Sequence, residues 1–568
     1  MARGEHDKRP AIERDVESAS PGAWMLSRRE FLRVASIVGA QAALTLSGCR
    51  SRPVLRGQSH GNLASVAVAH GSDVWGYPDA TPFDPDSAYP EYPLGAGAVG
   101  ADNGAYRLVR EALRLLYPDG FGLPDWNPLA AIIRPGDTVL IKPNLVDDVG
   151  WEQCRITHPS VLRAVIDYAY KACGPSGRIL VGDGPYTLGI WERVVEASGI
   201  HAMAERLVGE HSLPVSLVNL NDATKETARF VDLGEDSALA GLGRQWRDAR
   251  GRPLRSVDDR PVTSYRIAPA VLNADVVISL PKAKVHTTAG VTLAMKNLVG
   301  IIPCLPDAEG LARNKDCAHL SDQDVWRGPR GEYVDNDTIW RTVADLNRIL
   351  LYADREGRLR AEPQRRYLAV VDGILAGEAS LFNPRPVALG TVIVGADPVA
   401  VDAVGARVMG FDPRRIRSIA CAGDAGRLPL GTPDPAHIRV LVSGGADLSA
   451  LYHKALEPET QVFSWKGAIE AGDFQPPELT MPAWNASTGE VAVQAQDEAG
   501  VARVQATYVS ADVARTEDLA LERGTEMRGE WRGRLTAAAE SDGVAFAATD
   551  RLFNTATQWF GEGEFRSL

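Results

Sequence analysis

The stretch Ser279–Pro303, SLPKAKVHTTAGVTLAMKNLVGIIP, decides how the rest of the chain is read. It continues Asp275-Val276-Val277-Ile278-Ser279-Leu280, a run of apolar β-formers with no polar alternation, which predicts a strand buried on both faces. That strand delivers Pro281, Lys282, Lys284 and His286 into a turn. A helix is then expected: Thr287 or Thr288 can cap it, and Val291, Ala294, Leu298 and Val299 fall near helical spacing. Lys296 and Asn297 would sit on that helix, just behind the loop cations. The plain reading of such a run is a solvated basic loop. Here the cations abut a buried strand in a chain of net charge −12, so a binding loop stands beside that reading.

Working outward, the same grammar recurs. Ser65–Ala69 reads as a strand closed by His70-Gly71, and Tyr106–Tyr117 is amphipathic. Thr138–Ile141 is a strand ending in Lys142-Pro143-Asn144, and Thr157-His158-Pro159-Ser160 opens a helix with proline near its first position. Ile179–Val181 ends in Gly182-Asp183, Tyr367–Val371 in Asp372-Gly373, and Thr391–Val394 in Gly395-Ala396-Asp397-Pro398. A helix over Asp335–Ala353 and a last strand over Ile438–Val442 complete the series. The segment Trp75–Pro93, rich in Pro, Asp and Tyr without periodicity, reads as a surface loop. Short apolar strands alternating with amphipathic helices predict an α/β fold, a mainly parallel sheet with helices on both faces.

In such sheets ligands bind beyond the carboxyl ends of the strands. Lys142, Asn144, Asp183, Lys282, His286, Asp372 and Asp397 each follow directly on a predicted strand, so one shared edge is the expectation. Each has a plain alternative: Asp-Gly after a strand is ordinarily a turn, and Asp397 is placed to cap the helix that carries Val401, Asp402 and Val404.

From about Tyr452 the character changes. Residues 456–484 read as a Pro-containing linker, and from 485 to 568 short alternating segments predict a small C-terminal antiparallel β-sandwich that resembles immunoglobulin-like modules of exported bacterial proteins. The α/β domain is expected over 65–455.

With 568 residues the chain exceeds one hydrophobic core, and its acidity argues against a general nucleic-acid binder. Six cysteines occur, none in a CxxC pair, so no ferredoxin-type iron–sulfur loop and no zinc ribbon is encoded. At the amino terminus, Ser27-Arg28-Arg29-Glu30-Phe31-Leu32, an apolar stretch from Val34 to Leu46 and Leu46-Ser47-Gly48-Cys49 resemble a twin-arginine export signal joined to a lipobox. The apolar stretch is shorter than a bilayer span requires. The resemblance implies a signal over 1–48 that uses Arg28 and Arg29 and the twin-arginine export machinery, a lipid on Cys49, and a tether over 49–64. The protein would then be anchored on the extracytoplasmic side, periplasmic or cell-surface. Export in a folded state raises the expectation of a cofactor. Cys154, Cys173, Cys304, Cys317 and Cys421 would remain, and Cys304 with Cys317 is the pair chosen for a disulfide.

Taken together, Ile141-Lys142-Pro143-Asn144, Thr157-His158-Pro159, Gly182-Asp183, Leu280-Pro281-Lys282 with Lys284 and His286, Met295-Lys296-Asn297-Leu298 with Gly300, Val371-Asp372-Gly373 and Gly395-Ala396-Asp397-Pro398 resemble the domain of unknown function 362 family over about 138–412. That resemblance implies architecture and no activity.

The residues themselves point to a small anionic ligand, carboxylate or phosphate. Lys142, Asn144, Lys296 and Asn297 are the expected binding groups, with Lys282 and Lys284 stabilising negative charge and His286 exchanging protons near neutral pH. Asp183, Asp372 and Asp397, with His158 or His319, form an open set of ligands for a divalent metal. No HExxH, GxSxG or Walker loop is present. Two other classes stay open: a lipid-anchored binder of an anion or metal complex without turnover, and a redox-associated protein whose cofactor is inserted before export.

Overall fold

The computed structural model describes residues 63–566, apart from 79–80, 95–102, 187–190, 223–226, 241–259, 287–288, 304–338, 379–383, 412, 414–415, 424–426, 435–436, 444–476, 499, 511–512, 537–542 and 551–554. The expected export signal with Cys49, the expected ligand His319, and Cys304 and Cys317 lie outside the described residues.

The strands of the α/β part are β1 (Ala64–His70), β2 (Thr138–Pro143), β3 (Arg178–Asp183), β4 (Val215–Asn219), β5 (Arg229–Asp232), β6 (Ser264–Ile267), β7 (Val276–Leu280), β8 (Lys282–His286), β9 (Gly290–Thr292), β10 (Arg366–Glu378), β11 (Arg385–Gly395) and β12 (Ile438–Val442). The central sheet runs β12-β1-β11-β10-β7-β2-β3-β4, with β8 beside β10 and β9 beside β8, while β5 and β6 form a separate pair. Most neighbours are parallel; the exceptions are β11, antiparallel to both β1 and β10, and the antiparallel pair β8–β9.

Because side chains alternate across a strand, each central strand feeds two cores. Val66, Val68, Leu140, Val277, Ala369 and Val371 pack on one face against the helices Pro269–Asn273, Ile339–Tyr352 and Pro398–Val408. Ala67, Ala69, Val139, Ile141, Val276, Ile278 and Val370 pack on the other against Gly104–Leu116, Pro159–Cys173 and Ile200–His211. This is a mostly parallel sheet with helices on both faces.

The C-terminal part is a separate antiparallel sheet of seven strands, β13 (Glu478–Asn485), β14 (Glu490–Gln496), β15 (Val501–Ser510), β16 (Val513–Thr525), β17 (Arg528–Arg534), β18 (Gly543–Asp550) and β19 (Thr555–Gly561). Their order is β13-β14-β17-β16-β15-β18-β19. Ala483 bridges Arg566, so the sheet curls toward a barrel around Val491, Val504, Tyr508, Trp531 and Phe546. Its first strand lies inside the stretch expected to be linker: the alternation of Leu479, Ala483 and Trp484 is interrupted by Pro482 and a register shift between Thr480 and Ala483, which hides it from a period-two reading.

Two local expectations are corrected. The stretch after Pro281 is not a turn feeding a helix: Lys282–His286 and Gly290–Thr292 form a hairpin in which Val285 faces Val291. The helix is confined to Ala294–Asn297, and its amide ends are held by Asp402, with Asp402 Oδ1 2.7 Å from Ala294 N and Oδ2 3.1 Å from Met295 N. Asp372-Gly373 is not a turn either. β10 continues to Glu378 through a register shift at Gly373, because β8 and β11 supply partners on both sides.

Candidate functional site

Parallel pairing places Lys142 beside Ser279 and Pro143 beside Leu280, while Ile141 is level with Val181, two residues before Asp183. Asp372 is in register with Lys282. Lys142, Asn144, Asp183, Lys282 and Asp372 therefore share the carboxyl edge of the sheet, as expected. Asp397 does not join them, since β11 runs the other way and Gly395 pairs with Ala369 near the start of β10. Asp397 caps Pro398–Val408 instead, accepting from Val399 N and Ala400 N, both at 2.9 Å.

Two buried lysine–aspartate pairs organise the edge. Lys142 Nζ lies 2.6 Å from Asp183 Oδ1 and donates to Asn297 Oδ1 at 3.2 Å. Asp183 is fixed from its other side by Leu145 N at 2.7 Å and Gly184 N at 2.8 Å. Burial pulls the proton affinity of Lys142 down, and Asp183 opposes that shift. Asn297 ties the strands together, donating to the Lys142 carbonyl at 2.9 Å and to Ser279 Oγ at 3.0 Å. Asn144 donates weakly to Asn297 Oδ1 at 3.4 Å.

The second pair is Lys282 Nζ with Asp372 Oδ2 at 3.1 Å, neither side chain exposed. Here the loop dismissed as surface contributes a residue that pattern reading missed. The Tyr77 hydroxyl accepts from Lys282 Nζ and from Leu375 N and donates to Asp372 Oδ1. Burial, followed by the Asp372 charge, pushes the phenol well above its ordinary range, so Tyr77 stays a neutral donor. The loop is held by Asn103, whose amide donates to the Phe83 and Asp84 carbonyls at 2.8 Å, and by Arg163 Nη1 on the Pro82 carbonyl at 2.7 Å. The one available signal was its length without periodicity, which is uncommon outside functional loops.

His158 stacks on Tyr77, ring centroids 3.9 Å apart and planes 3° apart. Its backbone N donates to Asp372 Oδ2 at 3.0 Å and its Nδ1 accepts from Ser160 N at 3.1 Å. Burial, then Lys282, holds its pKa well below the usual value, so the ring is neutral. His158 thus serves as the N-cap of Pro159–Cys173 and as a wall of the site. Among the described residues no three His, Cys, Asp or Glu side chains gather as a metal site. Asp183 and Asp372 each face a lysine, and among the described residues Asp183, Asp372, Asp397 and His158 are not gathered as a metal site.

Lys284 is different from both paired lysines. It is 2 % exposed, and its Nζ donates to the Arg155 carbonyl at 2.8 Å. Burial is the main cause that brings its pKa down to about 7; Lys296, Arg155 and Lys282 add to the shift, and Asp147 opposes it. Asp147 is itself engaged by Arg155. His286 is buried at the end of the same strand, where its Nδ1 accepts from Ala289 N at 3.2 Å across the hairpin. The edge thus combines two internally neutralised pairs with Lys284, whose nearest charges are Lys296 and Arg155 with Asp147 opposing. Arg155 and Asp147 carried no sequence signal, because Thr157-His158 drew attention to the helix start beyond them.

Among the described residues, no helix is long and apolar enough to cross a membrane. Residues 139–227 and 207–407 match the family model described as Domain of unknown function (DUF362). A relative, Thylakoid-associated protein sll1697 of Synechocystis sp., is 24% identical over 301 residues, which cover 52% of this chain and 70% of that protein.

Proposed function

We propose, from the side chains of a chain whose residues 139–227 and 207–407 match the DUF362 family model, a description that carries no activity, that it binds and acts on a small carboxylate- or phosphate-bearing ligand at the carboxyl edge of the sheet. One observation carries the reading: Lys284 is buried among like charges, Lys296, Arg155 and Lys282, at the edge where open α/β sheets hold ligands. Like charges crowded away from water cost free energy that an anion would recover, and the same field would stabilise negative charge as it develops in a reaction. Lys142–Asp183, Lys282–Asp372 and Asn297 would act as the rigid frame, and His286, in the same strand as Lys284, is the candidate proton-exchanging group.

The test is thermal unfolding of the full chain with inorganic phosphate or succinate against chloride at matched ionic strength. A ligand about 100-fold above its Kd adds about 2.7 kcal/mol, which reads as a clear rise in Tm. Lys284→Met removes that rise. Absence of any rise with either anion, or its persistence in the variant, defeats the reading.

Export belongs to the same proposal. Arg28-Arg29 and Leu46-Ser47-Gly48-Cys49 support delivery by the twin-arginine machinery and a lipid on Cys49 that anchors the protein on the extracytoplasmic side. The C-terminal sheet would then be an immunoglobulin-like binding or spacing module. Labelled fatty acid incorporated into the wild type but not into Cys49→Ala is the expected outcome, and equal labelling rejects it.

A further inference from the structure

We propose that Lys284 is an amine nucleophile that condenses with the carbonyl carbon of a small oxo-carboxylate. This rests on the anion site proposed above and narrows its ligand to anions that also carry an aldehyde or ketone.

The three buried lysines of the edge are not equivalent. Lys142 lies 2.6 Å from Asp183 and Lys282 3.1 Å from Asp372, and an ammonium held by a carboxylate has its lone pair tied up by a proton. Lys284 forms no ion pair among the described residues, and its acceptor is a neutral carbonyl, that of Arg155, at 2.8 Å. Such an acceptor serves an amine as well as an ammonium. The neighbouring charges that reach it are Lys296, Arg155 and Lys282, with Asp147 opposing. Cations beside a desolvated lysine disfavour its protonation, which is one of the physical routes to a nucleophilic amine. The proton affinity of Lys284 is correspondingly brought to about 7, so a substantial share is free amine at neutral pH.

The positive field of these residues would draw in the carboxylate of the incoming molecule and orient its carbonyl toward Lys284. The step balances without an oxidant or reductant. The Lys284 nitrogen forms a bond to the carbonyl carbon, both amine protons leave with the carbonyl oxygen as water, and a carbon–nitrogen double bond remains. Lys284 is 2 % exposed, and burial away from bulk solvent disfavours the reverse hydrolysis. The imine draws electrons from the carbon next to the former carbonyl carbon, which makes proton removal there, or loss as carbon dioxide of a carboxylate carried on that same adjacent carbon, the reaction class that follows, the electron pair passing into an enamine in either case.

The experiment incubates the full chain with glyoxylate or pyruvate, traps any imine with borohydride and maps modified lysines by peptide mass spectrometry. The expected result is a carboxymethyl group from glyoxylate, or a carboxyethyl group from pyruvate, on Lys284 in preference to Lys171, with labelling suppressed by inorganic phosphate. Lys284→Arg, whose guanidinium cannot form the imine, should lose the label, while the phosphate-dependent rise in Tm is read separately on the wild type. No adduct on Lys284 while phosphate still raises Tm overturns the nucleophile and leaves the anion site standing. No adduct and no rise removes both. Adducts on Lys282 or scattered evenly over lysines also overturn the proposal.

Discussion

Gly300→Ala is a one-carbon test of the frame around the site. A Cβ at position 300 would lie 1.9 Å from Asp183 Oδ1, 2.6 Å from Lys142 Nζ and 2.8 Å from Lys142 Cε. Clashes with the ends of side chains are usually cheap because the ends swing away. Here they cannot: Lys142 is fully buried, and Asp183 is held by Leu145 N and Gly184 N while Gly184 N also donates to the Gly300 carbonyl at 3.0 Å. Gly300 is not among the residues of positive φ, so no backbone strain contributes and alanine would be tolerated on conformational grounds. Overpacking a dense core costs about 1–3 kcal/mol, and rupturing a buried ion pair about 3–5 kcal/mol. The molecule will take the cheaper route, so a loss of about 2–3 kcal/mol is expected. The assay is urea unfolding of the full chain, read at the transition of the α/β part, with the midpoint shift taken at unchanged slope. The control is the same substitution in Lys142→Ala/Asp183→Ala, where the obstructing atoms are gone and most of the extra cost should vanish. A loss below about 0.5 kcal/mol in the wild-type background, or an equal loss in both, refutes the reasoning.

Other perturbations follow from the same geometry. Lys282→Met leaves Asp372 buried with Tyr77 and the His158 amide but no cation, and should cost about 3–5 kcal/mol in urea unfolding; adding Asp372→Asn should recover part of it. Folded Lys284 binds fewer protons than the unfolded chain between about 7 and its ordinary 10.5, so its contribution makes stability rise with pH across that window, by at most about 1.4 kcal/mol per unit. Urea midpoints taken between neutral and alkaline pH should show that slope, and Lys284→Met should flatten it. Asp402 behaves in the opposite sense: burial raises its pKa to about 8 against its two amide donors, so its contribution is present at acid pH and is lost as pH rises from 3.8 through about 8. Asp402→Asn should remove that part of the pH profile.

How far the fold was legible depended on which physics decided each segment. Thr138–Ile141, Ile179–Val181 and Val276–Leu280 were readable because a strand buried on both faces needs an unbroken apolar run, and nothing else of that length satisfies it. Ile339, Val343, Leu346 and Leu350 are buried on one helix as their spacing required. The direction of β11 was not readable. A strand carries no mark of its polarity relative to its neighbours, and so Asp397 was assigned to the wrong edge. The hairpin Lys282–His286 and Gly290–Thr292 was lost for a related reason: Val291 and Ala294 fit helical spacing by coincidence, while the deciding interactions are the Val285–Val291 pair and the pairing of Lys282 with Asp372 across the sheet.

At the site the same division holds. Lys142, Asp183, Lys282 and Asp372 were found because the carboxyl edge of a parallel sheet is fixed by the chain itself. Their pairing was not, because which lysine meets which aspartate is set by long-range register: Lys142 with Asp183 and Lys282 with Asp372. Tyr77 is the sharper case. It reaches Lys282 across 205 positions of sequence from a loop with no periodicity, held in place by Asn103 and Arg163. Its arrival changes the chemistry assigned to the loop cations. With Tyr77 and Asp372 occupying Lys282, the anion proposed above would meet the edge around Lys284, and the proposed nucleophile is the second lysine of the strand rather than the first.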